Sequence, residues 1–90
     1  MFTWDARKRR ENLRKHGFDF ADAYRIFNGF TATEEDIRGA YGERRFVTVG
    51  MLNGVNVLVI HTERTDGIRI ISMRKATRHE TQTYFEGLAD

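Results

Sequence analysis

Two apolar runs, Arg45–Leu52 and residues 55–62, flank the dipeptide Asn53-Gly54, and no other feature of this 90-residue chain narrows its fold as much. Asn-Gly is the preferred sequence for a two-residue hairpin turn, because both central positions need positive φ. The turn pairs Leu52 with Val55, and counting back along both runs sets Phe46 opposite His61. Side chains alternate between faces, so this register sorts them. Val47, Val49, Met51, Leu58 and Ile60 share one face, which reads as the core face. Phe46, Thr48, Val57, Val59 and His61 share the other, which is more mixed.

The flanking segments fit around this hairpin. Residues 63–67 read as a second turn and 68–73 as a further strand. A turn of four or of five residues places Arg69 and Ile70 on opposite faces, and the spacing leaves both lengths open. Residues 30–35 alternate weakly, as an edge strand does, and 36–43, with two glycines, form a loop. Phe2-Thr3-Trp4 is a short strand or an extended lead-in. Asp5 is placed as an N-cap and Gly17 as the left-handed residue that ends a first helix. Between them only Ala6 and Leu13 are apolar, so most of that helix's cations stay exposed. Asp19 caps a second helix with Phe20, Ala23, Tyr24 and Phe27 inward, and Phe18 stands where a hydrophobic staple would. The tight turn between the two predicts an αα-hairpin. A last helix spans 78–88, with Tyr84, Phe85 and Leu88 inward. The fold class is α+β: an N-terminal helical hairpin packed on a mostly antiparallel sheet of about four strands, followed by a C-terminal helix.

Length and pattern predict one domain over residues 1–90. There is no cysteine, which excludes disulfides and thiolate metal sites, and the three histidines lack zinc spacing. No metal or cofactor is expected. Met1 leads directly into a charged helix without an apolar leader, so a cytoplasmic protein with no membrane contact is expected. The net charge of +2 hides a segregation. Residues 1–18 hold six Lys/Arg against two acids, 19–43 hold two against six, and 44–90 hold seven against five. Two basic ends around an acidic middle suit a protein that turns one face toward a polyanion.

The strongest chemical signal is the stretch 70–80. An apolar strand ends in Arg74 and Lys75, and Thr77-x-x-Glu80 has the spacing of a capping box. Arg74, Lys75 and Arg78 therefore meet a helix N-terminus, where free N–H groups already favour anions. Arg74 has no packing reason to close an apolar strand, and its guanidinium can grip a phosphate in a bidentate way. An ion pair with Glu80 is the structural alternative. His61 and Arg64 stand together at a strand end, with Arg45 across the hairpin, and a histidine there is a candidate proton shuttle. Lys15 and His16 end the first helix, where they complement its dipole or approach a phosphate. Glu80 is explained by its cap, and Tyr84 is either core or a stacking platform for a base. Phosphate-binding glycine loops, nucleophile elbows and acidic Mg²⁺ clusters are missing. Chemistry on a phosphodiester here would be metal-free, with cations stabilising the phosphorane.

In this setting the chain resembles the BrnT-type ribonuclease toxins of bacterial type II toxin–antitoxin systems. The resemblance rests on Trp4-Asp5, Lys8, Asn12, Lys15-His16-Gly17 with Phe20, Arg45-Phe46, Gly50, His61-Thr62-Glu63-Arg64, the run from Ile68 to Ala76, and Glu80 with Tyr84. It implies a RelE-like fold and a ribonuclease that cuts RNA and inhibits translation. It also implies neutralisation by a cognate BrnA-type ribbon-helix-helix antitoxin, through which alone the complex would reach DNA. By motif, Arg74, Arg64 and the Lys15-His16 pair carry over as functional candidates. The combined expectation is catalysis by Arg74, Arg64, His61 and His16, with Lys15, Lys75, Arg78, Lys8, Tyr84 and Arg45 on the RNA. The alternatives are a non-catalytic nucleic-acid-binding module on the same basic face, and a protein-interaction domain whose charges are only solvated surface.

Overall fold

The computed structural model describes residues 1–39 and 41–89. The hairpin forms in the expected register: Asn53 and Gly54 have φ of 51° and 79°, Leu52 pairs with Val55, and Phe46 with His61. Five strands make one sheet: β1 (Phe2–Trp4), β2 (Ala32–Asp36), β3 (Arg45–Leu52), β4 (Val55–Arg64) and β5 (Gly67–Lys75), in the order β1-β5-β4-β3-β2. The expectation of about four strands is corrected by β1, which pairs parallel with Ile68–Ile70 and makes the sheet mixed. The backbones approach so closely there that a Cβ at Gly67, whose φ is 139°, would collide with the Met1 carbonyl. The second turn is also tighter than expected, with Arg64 directly opposite Gly67. In the loop expected over 36–43, Ala40 lies outside the described residues.

Helix α1 (Ala6–His16) starts where Asp5 accepts from the Arg7 and Lys8 N–H groups, and ends at Gly17, whose N–H donates to the Leu13 carbonyl at 2.9 Å. The expected helical hairpin is not fully formed. After Asp19 comes a 3-10 turn, Phe20–Asp22, and then α2 (Ala23–Phe27), only five residues long. Asp19 caps this segment through the Ala21 N–H and also takes the Arg9 guanidinium at 2.7 and 3.0 Å, tying the short unit back to α1. Helix α3 (Arg78–Ala89) closes the fold.

Both sheet faces are covered, but not as the pattern suggested. The larger core lies on the mixed face, where Val57, Val59, Ile70 and Met73 pack with Phe20, Ala23 and Ile26. The face that read as core carries the smaller cluster of Val49, Leu58, Ala76 and Tyr84 beneath α3. Phe85 and Leu88, expected inward, are about half exposed. The aromatic residues around α2 decided the weighting, because they belong to the mixed face.

A bulge in β5 has the largest consequence for function. Ile60 pairs with Ser72 and His61 with Ile70, so Ile71 has no partner on β4. The extra residue shifts the alternation by one. It lets Ile70 and Met73, three apart, enter the same core, and it turns Arg74 to the opposite face beside Leu58.

Candidate nucleic-acid interface

The strand-to-helix junction is built as its sequence implies. The Glu80 N–H donates to Thr77 Oγ1 at 3.2 Å, and the Thr77 N–H donates to Glu80 Oε1 at 2.8 Å, a complete capping box. The same carboxylate receives Arg74 in a two-pronged pair, with Nη1 and Nη2 both at 2.9 Å. The Arg74 guanidinium, with the Thr77 backbone N–H, holds the Glu80 carboxyl down to about 2. The structural alternative for Arg74 is therefore present, and it aims the guanidinium into a groove of about 290 Å³. Val47, Leu58 and Ile60 floor that groove, with Glu34, Asp36 and Arg38 along its rim. Lys75 and Arg78 are exposed on either side of the junction.

A second group of cations reaches the same strand from α1. Strand β1 stops at Trp4, opposite Ile70, so β5 has no neighbouring strand on its outer edge from Ile71 onward. Helix α1 fills that place. Lys8, Asn12, Lys15 and His16, at helical spacing along one face, line an open cleft of about 200 Å³ against Ile71 and Ser72. Asn12 is buried and substitutes for the missing strand. Its amide donates to the Met73 carbonyl at 2.9 Å and to the Phe18 carbonyl at 3.1 Å, while its oxygen accepts from the Met73 N–H at 3.1 Å. The sequence reading assigned Asn12 no role. The signals were its place among the residues that carry the family resemblance and its position as a lone amide between Lys8 and Lys15 on one helix face. Arg74 follows Ser72 by two residues, so the α1 cations and the junction cations flank one stretch of β5.

Other expected site residues stand elsewhere. His61 is fully buried, its ring centroid 5.2 Å from that of Phe27 and 5.9 Å from that of Phe46. Its Nε2 shares a 2.7 Å hydrogen bond with Thr48 Oγ1, which bonds onward to Thr33, and burial pushes the imidazole down to about 4. A neutral, enclosed ring of this kind does not reach a substrate, so the expectation of a proton shuttle at His61 is corrected. Tyr84 resolves to its core alternative: it is 4% exposed and donates to the Phe30 carbonyl at 3.2 Å. Arg64 pairs with Glu43 at 3.3 Å and sits six residues along β4 from Leu58, the partner of Arg74. At ~3.3 Å per residue the two arginines are roughly 20 Å apart along the strand and do not share one phosphorane. Arg45 is half-buried, its guanidinium 4.1 Å from the centroid of the Tyr41 ring. Of the expected residues, Lys8, Lys15 and His16 share one cleft against Ile71 and Ser72, and Arg74, Lys75 and Arg78 stand at the strand-to-helix junction that follows along the chain.

Ion pairing sharpens the electrostatics. Arg7, Arg9, Arg25, Arg38, Arg44, Arg64 and Arg74 each hold a carboxylate. Among the described residues Lys8, Arg10, Arg14, Lys15, Arg45, Arg69, Lys75 and Arg78 make no ion pair. Four of these eight thus lie on α1 and Lys75 and Arg78 at the junction, while Arg45 and Arg69 lie toward the other end of the sheet and the groove beside Arg74 also carries acids. Among the described residues no three His, Asp or Glu side chains converge as metal ligands, and no helix is long and apolar enough to cross a membrane.

A small α+β domain with an exposed basic helix beside a cationic strand-to-helix junction belongs to the class of proteins built to meet a polyanion. The family is specific. Residues 4–80 match the model of the ribonuclease toxin, BrnT, of type II toxin-antitoxin system, and the chain belongs to that family. It is thus a ribonuclease toxin, and its family implies an RNA target and a protein antitoxin. No curated protein matches the chain.

Proposed function

We propose that this toxin cuts RNA without a metal, using the RNA's own 2′-OH as the attacking group. The observation that carries this reading is the cleft that Lys8, Lys15 and His16 line against Ile71 and Ser72 of β5, two residues before Arg74. In the reaction the 2′-oxygen bonds to phosphorus and the bond to the 5′-oxygen breaks, leaving a 2′,3′-cyclic phosphate and a 5′-hydroxyl. One group takes the 2′-OH proton and another protonates the leaving oxygen. His16, exposed beside Lys15, is the proton carrier at this edge. Arg74 and Lys15 stabilise the phosphorane, whose charge exceeds that of the ground state, and Lys8, Lys75 and Arg78 grip flanking phosphates. Glu80 presets the Arg74 fork, and the guanidinium Nε–H remains for the phosphate. Cutting RNA inhibits translation in the cytoplasm. A BrnA-type ribbon-helix-helix antitoxin neutralises the activity and supplies any DNA contact.

The decisive measurement is cleavage of labelled RNA in excess EDTA by the wild type, Arg74→Ala and His16→Ala, alongside growth after expression without antitoxin. We expect wild-type cleavage to persist, Arg74→Ala to abolish cleavage and growth arrest, and His16→Ala to fall by 10²-fold or more, about the effect of losing one proton-transfer group. A folded Arg74→Ala protein of full toxicity would sink the assignment. One observation favours a second reading, a non-catalytic RNA binder: the Arg74 guanidinium already has a carboxylate partner in Glu80. That reading predicts a salt-sensitive shifted band with the RNA intact.

A further inference from the structure

The sheet face beneath α3 is only partly roofed. Tyr84 covers Val49 and Leu58, but the neighbouring row on that face, Val47 with Ile60, is only half-buried. The groove beside Arg74 does not end at this row. A second hollow of about 130 Å³ continues it between β2 and α3, and Glu34, Val47, Leu58 and Glu80 line both. Ile37, just past the end of β2, belongs to the same rim and is 83% exposed. An apolar floor with an open isoleucine at its lip is surface of the kind that another molecule covers.

The charge on the rim selects the occupant. Glu34, Glu35, Asp36 and Glu80 line the groove against only two guanidiniums, and Arg38 and Arg74 are each already held by one of these acids. Glu34, common to both hollows, is exposed and makes no ion pair among the described residues. Such a lining repels RNA phosphates and attracts a lysine or arginine carried on an apolar segment. We propose that a segment of the protein antitoxin, apolar with a lysine or arginine beside its apolar side chains, lies in this groove. Its cation meets Glu34 and its body covers Arg74. This rests on the neutralisation included in the reading above. RNA comes to Arg74 from the α1 cleft, and the antitoxin closes over the same arginine from the groove, so toxin and antitoxin compete for one side chain.

The test uses the whole chain and the cognate antitoxin, titrated calorimetrically, with thermal melts and cleavage of labelled RNA in parallel. Glu34→Lys and Ile37→Asp change exposed side chains on the rim, and Tyr24→Ser, half-exposed on α2 across the sheet, is the control. Glu34→Lys and Ile37→Asp should each weaken the antitoxin about tenfold, the first by repulsion and the second by lost apolar burial. Both should melt and cut RNA as the wild type does, and Tyr24→Ser should bind normally. The double variant should arrest growth even with the antitoxin co-expressed. Wild-type affinity in both rim variants overturns the proposal and leaves the cutting reading intact. Equal weakening by Tyr24→Ser also overturns it, because the loss would not be local to the groove. If Ile37→Asp lowers RNA cleavage as much as antitoxin affinity, the groove belongs to RNA and the proposal falls. Variant-sensitive antitoxin binding without any wild-type RNA cleavage upholds the groove while removing the cutting reading. No complex with the wild type removes the groove as an antitoxin site.

Discussion

Replacing Asn12 with alanine should destabilise the protein far more than a polar-to-alanine change on a basic helix suggests. The side chain makes three hydrogen bonds, two to the Met73 backbone and one to the Phe18 carbonyl, at 2.9 to 3.1 Å. Alanine leaves one N–H and two carbonyls unpaired. A buried polar group without a partner costs about 1–3 kcal/mol. The cleft beside Asn12 admits some water, so the lower value applies to each group, and the total is about 3 kcal/mol. A chain of this length has roughly 5–13 kcal/mol in all, so the loss is a large share of it. The melting temperature should drop by roughly 10–20 °C. Trp4, the only tryptophan, packs against the main core on β1, so its fluorescence follows urea unfolding directly. The urea midpoint should fall with the m-value unchanged. Asn12→Asp should fare no better, because a carboxylate accepts from the Met73 N–H but sets negative charge against two carbonyl oxygens. An alanine variant within 0.5 kcal/mol of the wild type would show that water replaces the amide freely and that Asn12 does not dock α1 on β5.

The buried His61 predicts a pH dependence with a definite sign. Its folded pKa of about 4 lies below the unfolded value near 6.5, so below pH 6.5 the unfolded chain binds the extra proton. Stability should be fully present above pH 6.5 and decline by on the order of 3 kcal/mol as pH falls to 4, and a His61→Gln variant should lack most of that decline in urea titrations. Deleting Ile71 removes the unpaired residue of the β5 bulge and restores strict alternation. Ser72, Met73 and Arg74 would keep Ile60, Val59 and Leu58 as partners, and Arg74 its face, so we expect a soluble protein with a sharp melting transition; an insoluble deletion variant would refute the reading of Ile71 as the one unpaired residue.

Short-range signals were legible because their partners are near in sequence. Asp5 and Gly17, the Thr77–Glu80 box and the Asn53-Gly54 turn each bond within four residues or between adjacent strands, and all form as read. The site was legible only as a set of residues. His16, Lys15 and Arg74 looked no closer to one another than His61 and Arg64 did. Burial of His61 depends on Phe27, brought over it by α2, and no local pattern in His61-Thr62-Glu63-Arg64 records that aromatic neighbour.

The chain by itself thus determined the central hairpin and its register, the helix caps, the basic character of α1 and the cationic strand-to-helix junction. Only the tertiary structure decided that β1 joins in parallel and stops at Ile70, that Asn12 continues the edge it leaves bare, and that a bulge at Ile71 turns Arg74 away from the main core. The division has one physical reason. Turns and caps are satisfied by backbone groups a few residues away, whereas the facing of a strand residue is settled by partners far along the chain.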